Sequence, residues 1–225
     1  MLHRRAILFL LLLLAACSRA ATPAPVATIP AAATPADWQA IELESLSLAL
    51  PPSWTYAVAD AIAPSPALDE LAARNPQLAA VAREGEAALR AGHVQLIAYD
   101  LDPATLQDGM APTSLHIGSQ PNDTTLTAEQ VAAANEAQLR TTPGFRNVER
   151  AAVTIAETPA MRLTSTLTIT DTTGGALTFH HEQYLLIDRT TVHILSFTLP
   201  ETRRAQSGAL LDQILATVRL REPLQ

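Results

Sequence analysis

The sequence predicts an α+β domain, an antiparallel β-sheet packed with helices. Three observations lead there. Between Asn147 and Leu199 four apolar-rich strand segments follow one another with only short turns between them, so neighbours must pair antiparallel. Helical spacing is confined to Ser65–Gly92, to Thr127–Thr142 and to the stretch after Pro200. Helices set between runs of antiparallel strand produce a layered α+β architecture.

The elements follow in order. Trp38 to Leu50 alternates with period two, Ile41 and Leu43 and then Leu46, Leu48 and Leu50 on one side, with a break near Glu44-Ser45. Pro51-Pro52 ends this strand and Trp54-Thr55-Tyr56 begins a second. Ser65-Pro66 and Asn75-Pro76 each place a capping residue before a proline at the first helical position, which predicts two helices ending at Gly92. His93–Asp100 and Thr113–Gly118 read as strands. Thr127 and Gln130 form a capping box for a helix that Pro143-Gly144 stops. Four strands come next: Val148–Ala156, a corner at Thr158-Pro159, then Met161–Thr170, Leu177–Asp188 and Thr191–Leu199. Pro200-Glu201 opens a last helix with Leu211, Ile214 and Val218 on one stripe. The expected order is β-β-α-α-β-β-α-β-β-β-β-α.

The chain has 225 residues and a formal charge of −7, with no lysine. Dispersed arginines on an acidic surface provide no electrostatic footprint for nucleic acid. Arg4 and Arg5 precede an apolar run from Ala6 to Ala16, too short for a hydrocarbon core about 30 Å thick. This is the pattern of a secretory signal. Leu14-Ala15-Ala16-Cys17 resembles a bacterial lipobox, which implies cleavage before Cys17, lipidation of its thiol and a membrane-anchored extracytoplasmic protein. Residues 1–16 are then the signal peptide. Residues 17–36, rich in Ala, Thr and Pro, form the lipidated cysteine and its tether, and residues 37–225 form one domain. Cys17 is the single cysteine, so neither a disulfide nor a thiolate metal site is expected.

Leu50-Pro51-Pro52-Ser53-Trp54, the strand entry Pro159-Ala160-Met161-Arg162 and the meander through Tyr184-Leu185-Leu186 to Val192–Phe197 together resemble the PsbP-like fold. Bacterial lipoproteins and photosystem II extrinsic subunits share that fold. The resemblance covers about Trp38 to Arg221. It implies a layered sandwich without a catalytic site, acting as an accessory or binding module for an envelope partner.

Turn lengths place residues opposite one another. With Asp188 facing Thr191, Leu186 meets His193 and Tyr184 meets Leu195. With Thr170 facing Ala176, Thr166 meets His180, Thr164 meets Glu182 and Arg162 meets Tyr184. One face then carries Met161, Leu163, Leu167, Ile169, Leu177, Phe179, Leu185, Ile187, Val192 and Ile194, and reads as the core. The other carries Arg162, Thr164, Thr166, Thr168, His180 and Glu182 before giving way to Tyr184, Leu186, Leu195 and Phe197. Arg162, His180 and Glu182 are the candidate ligand or partner face. The commoner role of such a face is a solvated or helix-shielded surface with an ion pair.

No metal or cofactor is expected. His180 and His181 point to opposite faces of a strand, and Leu185 stands where H-E-x-x-H needs its second histidine. His93 and His116 stand alone at strand starts, and Trp38, Trp54 and Tyr56 fit core packing. Asp69-Glu70 and Asp100/Asp102 lack calcium-loop spacing. No nucleophile–base pair can be assembled from sequence spacing, so a non-enzymatic envelope module is expected, with a binding module for a small solute or ion as the alternative.

Overall fold

In the computed structural model, residues 26–59, 83, 85–92, 94–103, 111–122, 126–170, 175–188 and 190–221 are described. Cys17, His93, Asp69-Glu70, both predicted cap-plus-proline sites and the turn at 171–174 lie outside them. An eight-stranded sheet dominates. Its strands are β1 (Ala27–Ile29), β4 (Trp54–Val58), β5 (Leu96–Asp100), β6 (Ser114–Pro121), β7 (Phe145–Ile155), β8 (Thr158–Thr170), β9 (Ala176–Asp188) and β10 (Thr191–Pro200). They lie in the order β1-β7-β8-β9-β10-β6-β5-β4. Every pairing is antiparallel except β1 with β7. A small sheet, β11-β3-β2, consists of β2 (Gln39–Glu42), β3 (Leu46–Leu50) and β11 (Arg219–Leu220). Among the described residues, helices α1 (Ala128–Thr141) and α2 (Arg204–Ala216) flank the large sheet.

The α+β prediction holds, and so does the register of the meander. Thr191 pairs with Asp188, His193 with Leu186 and Leu195 with Tyr184. Thr166 pairs with His180, Thr164 with Glu182 and Arg162 with Tyr184. The break at Glu44-Ser45 turns the first predicted strand into the β2–β3 hairpin. At α1 the capping box forms as expected: the Thr127 N–H donates to Gln130 Oε1 (2.9 Å) and the Gln130 N–H to Thr127 Oγ1 (3.3 Å). Gly144 follows at φ +91°, where a Cβ would lie 2.7 Å from the Thr168 carbonyl oxygen, so only glycine fits this stop. The helical stretch at 85–90 ends at Gly92, as its sequence predicts.

Three details differ. The β7–β8 turn is Ala156-Glu157, both with positive φ, and Pro159 lies inside β8 opposite Thr154. Proline marked the right neighbourhood, but a two-residue hairpin needs positive φ at its centre, which Pro cannot adopt. His116 sits inside β6, edge-on to Tyr99, rather than at a strand start. Residues 27–29, read as tether, pair with Val153–Ile155 as a short edge strand.

The larger difference concerns which face is core. The main apolar cluster lies not on the face expected to be core but at the apolar end of the other, where Tyr184, Leu186, Leu195, Phe197 and Leu199 pack against the small sheet and Leu211, Ile214 and Leu215 of α2. The face predicted as core carries a smaller cluster under α1, with Leu163, Leu185 and Val192 meeting Val131 and Ala132. Ile169, on that face beyond the helix, is 41 % exposed. Alternation separates two faces of a strand but does not say which receives the larger partner. Here both are covered, each over a different length.

The N-terminal segment closes over this core. The Ala32 N–H donates to the Ala216 carbonyl (3.0 Å) and the Arg219 guanidinium to the Ala32 carbonyl (2.8 Å). Beneath this strap a cavity of about 260 Å³ is lined by Ile29, Pro35, Trp38, Asp212 and Ala216.

The two faces make opposite demands on substitution. Leu186→Ala should cost about 2–5 kcal/mol, whereas Ile169→Ala should stay within about 0.5 kcal/mol. Urea unfolding of the two variants checks this, and equal losses would place the core on the wrong face.

Candidate functional site

Arg162, His180 and Glu182 come together on adjacent strands because β8 and β9 hold the predicted register, Thr164 opposite Glu182 and Arg162 opposite Tyr184. They lie on the main-core face, beside the 3-10 turn Glu201–Arg203 that leads into α2. His180 is only 3 % exposed. The face is therefore shielded, with its polar groups facing one another rather than open solvent.

Glu182 is the centre of the group. One carboxylate oxygen lies 2.7 Å from His180 Nε2, and the other accepts the Tyr184 hydroxyl at 2.6 Å. Burial alone would raise its pKa, but the His180 and Tyr184 hydrogen bonds and the nearby His180 and Arg162 charges outweigh that and hold it below the usual carboxylate range. Glu182 is thus ionised at neutral pH, and an ionised carboxylate only accepts, so His180 Nε2 carries the hydrogen. The opposite ring nitrogen, Nδ1, is 3.8 Å from Glu201 Oε2. Burial, followed by the Glu182 charge, pushes the Tyr184 phenol far up, so it stays a donor. Arg162 Nε is buried without a hydrogen-bond partner. The Arg162 charge also acts on Asp212 of α2, where burial and then the Glu182 charge raise the carboxyl.

This arrangement fixes a negative charge between two donors and a guanidinium. Both Glu182 oxygens are satisfied, whereas Arg162 Nε and Glu201 Oε2 are buried without a hydrogen-bond partner. Sequence reasoning missed both Tyr184 and Glu201 as members. Tyr184 was legible as Arg162's cross-strand neighbour but was assigned to the apolar end. His181 points the other way, as expected, with Nδ1 3.2 Å from Ser165 Oγ and its ring edge-on to Phe145. Burial, aided by the His180 charge, pushes His181 down to about 4. Among the described residues no three His, Cys, Asp or Glu side chains gather in a metal-binding geometry. Asp100 is buried and accepts from Ser53 Oγ (3.0 Å) and the Asp102 N–H (3.1 Å), tying β5 to the turn before β4. Trp54 is buried in the main core, with Trp38 and Tyr56 packed against it.

No family model matches the sequence, and no curated protein matches it. Solved structures do match. Cyanobacterial PsbP (CyanoP) from Synechocystis sp. PCC 6803 aligns with a TM-score of 0.50 at 13 % identity, covering 84 % of this chain and 95 % of that one. LpqN, involved in cell envelope biogenesis of Mycobacterium tuberculosis, aligns at 0.46 with 14 % identity over 79 % and 83 % of the two chains. The Saccharomyces cerevisiae Ran-binding protein Mog1p aligns at 0.42 with 14 % identity over 81 % and 95 %. The fold of this chain is PsbP-like.

Acid should weaken the fold in two stages. His181 is held neutral when folded, so the unfolded chain takes up its proton first and stability falls as pH drops from about 6.5 towards 4. Burial moves His116 and His193 in the same direction. Glu182, with its folded pKa lowered, contributes stability that is full above its unfolded pKa and lost as pH falls through its folded pKa. Thermal midpoints measured from pH 8 to 3 should therefore decline through both windows. His181→Gln should flatten the first and Glu182→Gln the second. A wild-type midpoint constant between pH 7 and 4.5 contradicts the buried neutral histidines.

Proposed function

We propose that this chain is a lipid-anchored extracytoplasmic accessory domain that works by presenting its sheet-and-helix surface to an envelope protein. The observation that carries the reading is the lipobox-like Leu14-Ala15-Ala16-Cys17, set one tether away from a PsbP-like domain. Acyl chains contribute roughly 0.8 kcal/mol per buried methylene, so several of them on Cys17 hold the domain at a bilayer without a spanning helix. Among the described residues no helix is long and apolar enough to cross a membrane. The bonds that Glu182 already makes to His180 and Tyr184 support a structural use of that carboxylate over capture of a solute. An incoming ligand would have to displace bonds of 2.6 and 2.7 Å already made to Glu182.

Metabolic labelling with an alkyne fatty acid tests the anchor. The wild-type chain should take up label and sediment with membranes, and Cys17→Ser should do neither or accumulate as the uncleaved precursor. Unlabelled wild-type protein in the soluble fraction overturns the reading. Cross-linking in intact membranes should then yield discrete adducts of the anchored form, and their absence removes the partner from the proposal.

A further inference from the structure

A second polar group lies at the far end of the same sheet face, on strands that are remote in sequence. Ser119 of β6 pairs directly with His193 of β10, and His193 pairs with Leu186 of β9, two residues before Asp188. All three polar side chains therefore share one face. Ser119 Oγ is 2.9 Å from His193 Nδ1, and His193 Nε2 is 3.6 Å from Asp188 Oδ2. The imidazole is completely buried, and its Nε2 has no hydrogen-bond partner. Ser119, by contrast, lines an open pocket of about 350 Å³ with Glu44, Ser45, Gln95, Gln120 and Thr191.

We infer that Ser119, His193 and Asp188 form a proton relay that makes Ser119 a nucleophile towards small carboxylic esters entering this pocket. Ser119 and His193 are the catalytic residues, and Asp188 is a positioning residue acting through the imidazole. The inference goes beyond the anchored accessory reading and does not depend on it.

The chemistry follows from the order of the groups. A hydrogen on Nε2 faces the Asp188 carboxylate and leaves Nδ1 as an acceptor. The Ser119 hydroxyl then has two acceptors at 2.9 Å, Gln95 Oε1 and His193 Nδ1. At rest it donates to Gln95. Turned to Nδ1, it releases its proton as Oγ bonds to the ester carbonyl carbon. The carbon–alkoxy bond breaks as the imidazolium returns that proton to the departing alcohol. Water then attacks the acyl-serine by the same route, giving its proton to Nδ1 and releasing the carboxylic acid and Ser119. Burial, opposed by Asp188, keeps the His193 pKa low, so the imidazole starts as a free base at neutral pH. The side-chain amides of Gln95 and Gln120, in the pocket wall, are the N–H donors at hand for the oxygen that gains charge. The 3.6 Å gap at Asp188 is of the loose kind that closes when substrate is bound.

The test is active-site labelling of the full chain with a fluorophosphonate probe at pH 7–8, with the modified residue located by peptide mass analysis. The expected result is a single adduct on Ser119 that is lost in Ser119→Ala, with circular dichroism showing that this variant is folded. Asp188→Asn, which keeps size and shape, should slow labelling by about tenfold or more and alter its pH profile. Hydrolysis of p-nitrophenyl acetate should follow the same order. No adduct on the folded wild-type protein, an adduct elsewhere, or Asp188→Asn labelling at the wild-type rate and pH profile would each overturn the relay.

Discussion

The antiparallel pairing of β9 with β8 on one side and β10 on the other is the constraint from which the rest of the structure follows. It places Tyr184 beside Arg162, Glu182 beside Thr164 and His193 beside Leu186. Because side chains alternate, a slip of one residue would exchange the two faces of the whole meander. Glu182 would then lose its partners and Leu186 its core. Burial on both faces therefore locks the register from both sides, with α1 gripping Leu163, Leu185 and Val192 while α2 and the small sheet grip Leu186, Leu195 and Phe197.

Glu182 illustrates how a charge persists next to an apolar core. Removing a carboxylate from water is costly unless its lone pairs are filled. Here the His180 and Tyr184 donors fill them at short range, and the Arg162 charge lies close by. These bonds run along β9, and His180 Nδ1, 3.8 Å from Glu201 Oε2, brings the cluster up to the turn before α2. Asp100 is held in a similar way on the same face nearer the β4 edge, where it accepts from Ser53 and the Asp102 amide.

Much of this was legible in the sequence, for identifiable reasons. The meander register follows from turn length and alternation, both local, so the cross-strand partners of His180, Glu182 and His193 on neighbouring strands could be read directly. Burial of the faces depends on which distant element lands on them, and no local pattern reports that; hence the main core falls on the Tyr184–Leu186 side. The approach of Ser119 to His193 was equally out of reach, since β6 and β10 are 74 residues apart at that pair and become neighbours only through the completed sheet order. The hairpin at Ala156-Glu157 was displaced by two residues because proline was the louder signal. Residues 27–29 carry no pattern beyond a bias to extended backbone, which is all that a three-residue edge strand requires.

That edge strand has a mechanical meaning. Whatever tension reaches the folded part from its N-terminal side arrives first at three parallel residue pairs with β7 and at the bonds of Ala32 to Ala216 and Arg219. Few bonds near the surface open at low free energy, whereas the long antiparallel pairings behind them do not. Such tension should therefore open the β1 edge and the strap bonds before it reaches the long pairings of β7 to β10.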